Sequence, residues 1–432
     1  MNKNAHPAVT FSKALTFWLK LGFISFGGPA GQIAIMHRVL VDEKKWIEEQ
    51  RFLHALNFCM LLPGPEAQKL ATYVGWLLHG TRGGLAAGIL FVLPGALVML
   101  ALSALYALGR GIPAVEGALF GIKAAVLVIV VEALLRIGRR ALKTRLLIGV
   151  AAAAFIGIFF LGLPFPLIVV AAAALGYATQ RAAVVIAVAP APGRWRHLVI
   201  ASVIGLVLWW APVAAVLMLL GPDHVLADIG LFFSKLAVVS FGGAYALLAY
   251  MAQQAVETYH WMSAPEMVDG LGLAETTPGP LILVTQFVGF LAAYRDAAPF
   301  SPVAAGIIGS ALTTWVTFVP PMTLIFAGAP FVEQLRSNQR LSGALAAITA
   351  AVVGVILNLT VWFALHVLFG NVAEVRAGPL RWYAFDPLAL DLETAALAAL
   401  AAVLAFRLHR GLVELVVVMA LLGIALRFAL PG

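Results

Sequence analysis

The sequence predicts an all-α polytopic membrane protein, with about 13 transmembrane helices in two inverted-topology repeats that contain discontinuous helices. Three observations carry that prediction. First, of 432 residues 62% are hydrophobic and only 11% charged, with a mean hydropathy of +0.98. A soluble domain carries roughly a quarter charged residues, so no water-facing surface can be built from this composition. Second, the apolar residues fall in long unbroken runs, which signal helices; barrel strands would alternate. Third, a set of motifs recurs 215 residues later in the chain.

Apolar runs of helical length lie near 14–36, 84–108, 114–138, 146–161, 166–182, 197–220, 229–254, 303–328, 341–369, 391–407 and 411–430. Two more, 52–80 and 265–294, are interrupted by Pro-Gly-Pro. One span plus its loop takes about 30 residues, which sets the expected span number. The first run contains Lys20 and lacks a small-residue cleavage pattern, so it reads as a retained span and not a signal peptide. After it, the stretch 38–51 carries Arg38, Asp42, Glu43, Lys44, Lys45 and Trp46. It reads as interfacial, with Trp46 at the headgroups.

The repeat has three anchors in one register. Lys20-Leu21 and Ser25-Phe26-Gly27-Gly28 recur as Lys235-Leu236 and Ser240-Phe241-Gly242-Gly243; Trp46 recurs as Trp261, and Pro63-Gly64-Pro65 as Pro278-Gly279-Pro280. Farther on the offset becomes 226, matching Pro94 to Pro320 and Gly117-Ala118-Leu119 to Gly343-Ala344-Leu345. An insertion near 295–308 accounts for the change. The expected layout is a first membrane repeat at 1–196, a connecting helix at 197–220 and a second, inverted repeat at 221–432.

Basic residues set the orientation. The 136–145 loop carries Arg136, Arg139, Arg140, Lys143 and Arg145, and the 181–196 loop carries Arg181, Arg194 and Arg196, so both belong in the cytoplasm. The uncharged turn around Pro164-Phe165-Pro166 and the segment Gly221–Asp228, acidic through Asp223 and Asp228, suit the outside. In the second copy the pattern reverses: 370–390 is charge-balanced, whereas Arg407, His409 and Arg410 are basic. With one net crossing per Pro-Gly-Pro segment, the amino end is cytoplasmic and the carboxyl end periplasmic. A re-entrant hairpin is the alternative for those segments.

The interruptions are where chemistry is expected. In hydrocarbon, irregular backbone survives only where it lines protein or a polar cavity. Gly27-Gly28-Pro29 breaks its span, because Pro29 has no N–H and clashes with the preceding turn while glycines weaken the helix. Pro63-Gly64-Pro65 breaks more decisively, and Pro65 is placed to start a new half-helix. A half-helix starting inside the membrane aims free amides and a positive dipole end at its surroundings, an anion site. Close packing at Gly-Pro pairs explains any one break, but less well their occurrence in both copies.

Around the breaks, Ser25, Phe26, Asn57, Gln68 and Lys69 form the expected substrate lining of the first copy, with Ser240, Thr276, Thr277 and Gln286 in the second. Hydroxyls and amides donate to an oxyanion without adding charge. Lys20 and Lys235 either snorkel to the interface or supply counter-charge to an anion pathway, for which Lys123 is a further candidate. Glu66 either pairs with Lys69 at i, i+3 or carries a proton. Glu275, in an apolar stretch, is a candidate proton relay. Glu132, near the basic loop, reads as an interface partner.

Other classes have no support. The lone Cys59 excludes an internal disulfide and a cysteine zinc site. The nine histidines form no HExxH motif, and no Walker A pattern is present, so no metal, cofactor or ATP hydrolysis is expected. No catalytic constellation stands out. The net charge of +8 is read as basic loops fixing orientation and not as nucleic-acid binding.

With those residues in view, the chain resembles the long-chain chromate ion transporter family of bacterial chromate-efflux proteins. The likeness covers nearly the whole chain and rests on Phe26-Gly27-Gly28-Pro29, on Leu62-Pro63-Gly64-Pro65-Glu66-Ala67-Gln68 and on Glu275-Thr276-Thr277-Pro278-Gly279-Pro280. One departure is Ala244, where the first copy has Pro29. The resemblance implies export of chromate across the inner membrane, driven by the membrane potential or a proton gradient, with sulfate as a competing ligand. The alternatives are a transporter of sulfate or another small anion, an anion channel or a membrane-embedded enzyme. Expected partners are the oxyanion and the lipid bilayer, with a homodimer left open.

Overall fold

Without water to satisfy it, the backbone of an apolar run closes its hydrogen bonds internally as a helix. Helices accordingly dominate the protein in a computed structural model, which describes residues 9–26, 28–109, 111–179, 194–241, 244–329 and 339–429. Gly27, Gly242, Gly243 and Arg181, singled out above, lie outside the described residues. In chain order the helices are α1 (Phe11–Ile24), α2 (Gly28–His37), α3 (Glu49–Leu61), α4 (Glu66–Leu108), α5 (Pro113–Ala141), α6 (Arg145–Phe159), α7 (Phe165–Thr179) and α8 (Arg194–Leu219). Then come α9 (Val225–Val239), α10 (Ala244–Gln253), α11 (Ala264–Thr276), α12 (Val284–Arg295), α13 (Pro302–Gly328), α14 (Gln339–Leu368), α15 (Leu392–Ala402) and α16 (Leu412–Ala429). Among the described residues six helices are long and apolar enough to cross a bilayer, within α4, α5, α8, α13, α14 and α16. The 370–390 segment departs from the all-α expectation: β1 (Val372–Ala377) and β2 (Leu380–Phe385) pair as an antiparallel hairpin.

The chain divides into two compact units, neither contiguous in sequence. One comprises Met1–Ala101, Arg181–Ala244 and Thr277–Gln339; the other Leu102–Gln180, Tyr245–Thr276 and Arg340–Gly432.

In the first unit the sequence breaks are chain reversals. Helix α1 stops at Ser25, and α2 starts at Gly28 with φ +71°. The Phe17 ring then lies 5.5 Å from Trp46, so the chain after the break returns beside α1. Phe58 and Tyr73 meet at 5.3 Å on either side of Pro63-Gly64-Pro65, so α3 and the start of α4 also run antiparallel. A third reversal follows at His79 and Gly80, whose backbones leave the helical region. There Gly75 and Gly83 lie against each other's carbonyls, although eight residues of straight helix would separate them by about 12 Å. Downstream, Gly289 of α12 faces Gly309 of α13, and Trp315 Nε1 of α13 donates to the Leu208 carbonyl of α8 at 2.7 Å.

In the second unit, glycines bring helices into direct contact, as helix association in lipid favours. Gly121 of α5 lies against the Met419 carbonyl of α16, Gly272 of α11 against Ile122 of α5, and Gly176 of α7 against Gly343 of α14. The hairpin is anchored by Arg381, whose side chain reaches the carbonyls of Ile158 and Phe159.

Positions 215 apart share backbone detail. Helices α2 and α10 both widen into a π-turn, at Arg38–Glu43 and Gln254–Thr258. Lys44 donates to Val39 at 2.9 Å, and Tyr259 to Gln254 at 2.8 Å. Lys45 and His260 both take positive φ, 51° and 53°.

Candidate anion pathway

A helix ends with carbonyls that have no intrahelical partner. At the ends of α1 and α9 two such groups, the carbonyls of Ser25 and Ser240, are taken by the Pro-Gly-Pro turns. Gly279 donates its amide to Ser25 at 2.8 Å, and Gly64 donates to Ser240 at 3.0 Å. The break of each sequence half therefore holds the turn of the other. Glycine is required at both turns: φ is +107° at Gly64 and +92° at Gly279, and a Cβ on Gly64 would lie 2.5 Å from that of Pro321. The Ser25 and Ser240 hydroxyls are turned back to Leu21 (2.6 Å) and Ala237 (2.7 Å).

Beyond the first turn α4 starts at Glu66, as Pro65 predicts. One turn in, Lys69 is buried, 1% exposed, and its ammonium donates to the Leu62 carbonyl of that same turn. Beside it Gln68 is fully buried, and neither carboxamide atom has a partner among the described residues. Gln286, also buried, donates to the Ala96 carbonyl at 2.8 Å and leaves its Oε1 unpartnered. Lys69, Gln68, Gln286, Ser25, Ser240 and both Pro-Gly-Pro turns all belong to the first unit.

Other predicted residues stand elsewhere. Asn57 is on the exposed face of α3, because the helical period turns Ala55, Phe58 and Cys59 inward instead. Lys20 and Lys235 are both exposed on their helices, the position a snorkelling lysine takes. Glu275 and Thr277 are buried, and the Thr276 hydroxyl is turned to the Leu273 carbonyl at 2.7 Å. Glu132 pairs with Arg136.

Lys123 is held by a residue that sequence reasoning missed. Asp269 of α11, 4% exposed, lies 3.3 Å from the Lys123 ammonium and accepts from the Tyr106 hydroxyl at 2.9 Å. An acid inside an apolar run was the available signal. Gln32 was missed too: its amide donates to both Ser25 (3.2 Å) and Gly279 (2.6 Å) carbonyls. His37 lies between Asp42 (3.4 Å) and Glu49 (2.6 Å), but they approach opposite ring nitrogens, so the three do not converge on one ion.

Comparison with known proteins shows the family. The family model described as chromate transporter matches residues 12–177 and 227–426. A chromate transport protein of Pseudomonas aeruginosa is 33% identical over 359 residues, covering 81% of this chain and 80% of its own. A probable chromate transport protein of Synechococcus elongatus is 28% identical, covering 83% and 86%. An uncharacterised transporter of Methanocaldococcus jannaschii is 27% identical, covering 81% and 83%. No solved structure matches the chain. The chain thus belongs to the chromate transporter family, whose members are membrane transport proteins and not enzymes.

Proposed function

We propose that this protein exports chromate from the cytoplasm as a secondary active transporter, with sulfate competing for the same path. Lys69 carries the reading. A fully buried ammonium in an intramembrane segment is costly unless it serves a charged partner or a pathway. This one sits at the amino end of a helix, where dipole and free amides favour an anion, beside a carboxamide with no partner among the described residues. The two breaks and two Pro-Gly-Pro turns would form the substrate path, with Glu275 and Glu66 as proton-coupling groups.

The direction follows from charge. Moving one charge through 100 mV is worth about 2.3 kcal/mol, so a dianion gains roughly twice that on leaving a negative interior. Export therefore runs on the potential, with a proton gradient as a supplementary drive.

The membrane arrangement we infer has halves 1–196 and 221–432 as inverted copies joined by 197–220, in the inner membrane. If the second half reverses at its breaks as the first does, the broken segments add no net crossing. Nine crossings then remain, in the second leg of α4, α5 to α8 and α13 to α16. Removing two crossings from each half leaves the parity unchanged, so the halves stay inverted, with the amino end cytoplasmic and the carboxyl end periplasmic.

The test is uptake of radiolabelled chromate into everted vesicles, with and without sulfate and an uncoupler. Uptake should fall under both additions. Flux indifferent to an imposed potential would overturn the drive, and no chromate uptake would overturn the substrate. Lys69→Ala and Thr277→Ala should lower uptake at normal membrane abundance; normal uptake in both removes the site assignment. Unchanged pH dependence in Glu275→Gln removes proton coupling there.

A further inference from the structure

A buried serine or threonine inside a helix can give its hydroxyl proton to the carbonyl one turn back. Helix α13 follows that habit at Thr313 to Gly309 (2.8 Å), Thr314 to Ser310 (2.8 Å) and Thr323 to Val319 (3.0 Å). Two of its hydroxyls do not. Ser310 and Thr317 are 1% and 3% exposed, and neither has a hydrogen-bond partner among the described residues. Leaving a buried donor unmade is unfavourable, and here it occurs twice at a spacing of seven residues. That spacing returns to the same helix face, with the hydroxyls about 10 Å apart along the axis at a rise of about 1.5 Å per residue.

The same face leads to the Pro-Gly-Pro turn. Pro321, four residues beyond Thr317, packs directly on Gly64. That turn contains the Leu62 carbonyl that holds the Lys69 ammonium, and Gln68 with its unpartnered carboxamide follows it. All of these residues belong to one compact unit. No charged residue occurs between Pro302 and Gly328, so the free hydroxyls are donors on a helix without a carboxylate. Hydroxyl donors on an uncharged helix face that continues to Pro321, packed on the turn next to a buried ammonium, suit a tetrahedral oxyanion better than a cation.

We infer that Ser310 and Thr317 donate hydrogen bonds to the oxyanion at two successive stations along α13, on the way to or from the Lys69 turn. The inference rests on the export reading above and adds the residues that recognise the anion away from the lysine. Neither hydroxyl needs to break a bond to any of the described residues to serve the anion.

The experiment is chromate uptake into everted vesicles, read as KM and maximal rate at matched membrane abundance. Thr317→Val removes the hydroxyl at constant shape, and Ser310→Ala removes the other. Each should raise KM, the double variant by roughly tenfold or more, since a hydrogen bond to a charged group is lost at each station. Thr314→Val, whose hydroxyl is already donated to its own helix, should stay within about twofold of the parent. Thr317→Ser should restore the parental KM. A double variant with parental KM overturns the inference while the export reading stands. Parental vesicles that take up no chromate overturn the export reading itself and this inference with it. If the double variant fails to reach the membrane, the isosteric Thr317→Val alone decides in the same way.

Discussion

Gly279 gives its amide proton to the carbonyl of Ser25 at 2.8 Å, and Gln32 braces the contact by donating to the carbonyls of both residues. The sister contact, Gly64 to Ser240, is bonded at 3.0 Å, but 215 residues beyond Gln32 the sequence has Leu247. The Gln32 brace therefore has no amide counterpart at the equivalent position of the second copy. Gln32→Leu should cost about 1–3 kcal/mol, chiefly by leaving the Gly279 carbonyl unpaired. The expected result is a lower unfolding midpoint in detergent and faster labelling of a Ser25→Cys reporter. An unchanged midpoint with unchanged labelling would show that the brace is idle. Gln32→Glu, which keeps the shape but loses the amide donor, should be at least as damaging.

Helix approach at the α4 reversal gives a second prediction. A methyl group on Gly75 or Gly83 would collide with the other residue's carbonyl oxygen, a backbone atom with no freedom to retreat. Gly75→Ala and Gly83→Ala should each cost about 1–3 kcal/mol or more through overpacking. Folded yield, followed by size-exclusion chromatography of a fluorescent fusion, should fall sharply. Gly149→Ala meets nothing within 4 Å and should be neutral or slightly stabilising, because alanine is the better helix former. Equal yields for all three would contradict this packing.

The helices and their breaks were legible for a local reason. Long apolar runs leave the backbone no choice but a helix, and Gly-Pro chemistry interrupts it wherever it occurs. The path after each break was not legible. Gly27-Gly28-Pro29 and Pro63-Gly64-Pro65 mark where a helix stops, while the direction of the next leg is decided by contacts such as Phe17 with Trp46 and Phe58 with Tyr73. Lys69 and Gln68 stood out because a charged or amide side chain in an apolar run is conspicuous. Asp269 was equally conspicuous but acquires meaning only from Lys123 and Tyr106, which other stretches of chain bring to it. Gln32 resembled any polar residue near a helix end, since its partner Gly279 belongs to the other half of the sequence.

The Lys123–Asp269 pair yields a third prediction. Gly272, one turn beyond Asp269, lets α11 sit directly on Ile122 of α5, which brings the neighbouring Lys123 within 3.3 Å of the carboxylate. Neutralising one member of a buried pair typically costs about 3–5 kcal/mol, while removing both is often nearly neutral; the lysine side chain, 27% exposed, places this pair toward the lower end. Lys123→Met and Asp269→Asn should therefore each lower membrane abundance, and the double variant should recover it. Abundance in the double variant below either single would rule out the pairing. Tyr106→Phe, which removes one hydrogen bond to the carboxylate, should cost less than Asp269→Asn.

The β-hairpin gives the last prediction. Arg381, 4% exposed, donates to the carbonyls of Ile158 (2.9 Å) and Phe159 (3.3 Å) and to the Glu257 carboxylate (3.3 Å). Its amide adds a bond to the Phe160 carbonyl at 2.8 Å, and the Tyr383 hydroxyl donates to Glu257 at 3.0 Å. Burial and the nearby Glu257 carboxylate hold the Tyr383 phenol well above its usual range. The phenol's raised value means that its contribution is fully present below the ordinary tyrosine pKa of about 10 and is lost only as pH rises through the higher folded value. The phenol should thus leave docking of the hairpin unchanged from neutral pH to about pH 9. Arg381→Met removes the guanidinium's bonds and leaves Glu257 with a weaker set of partners, so limited proteolysis within 372–385 should accelerate. Tyr383→Phe should accelerate it less. Cleavage at the parental rate in Arg381→Met would show that the hairpin is held by its apolar contacts, such as Phe159 against Tyr383, and not by the arginine.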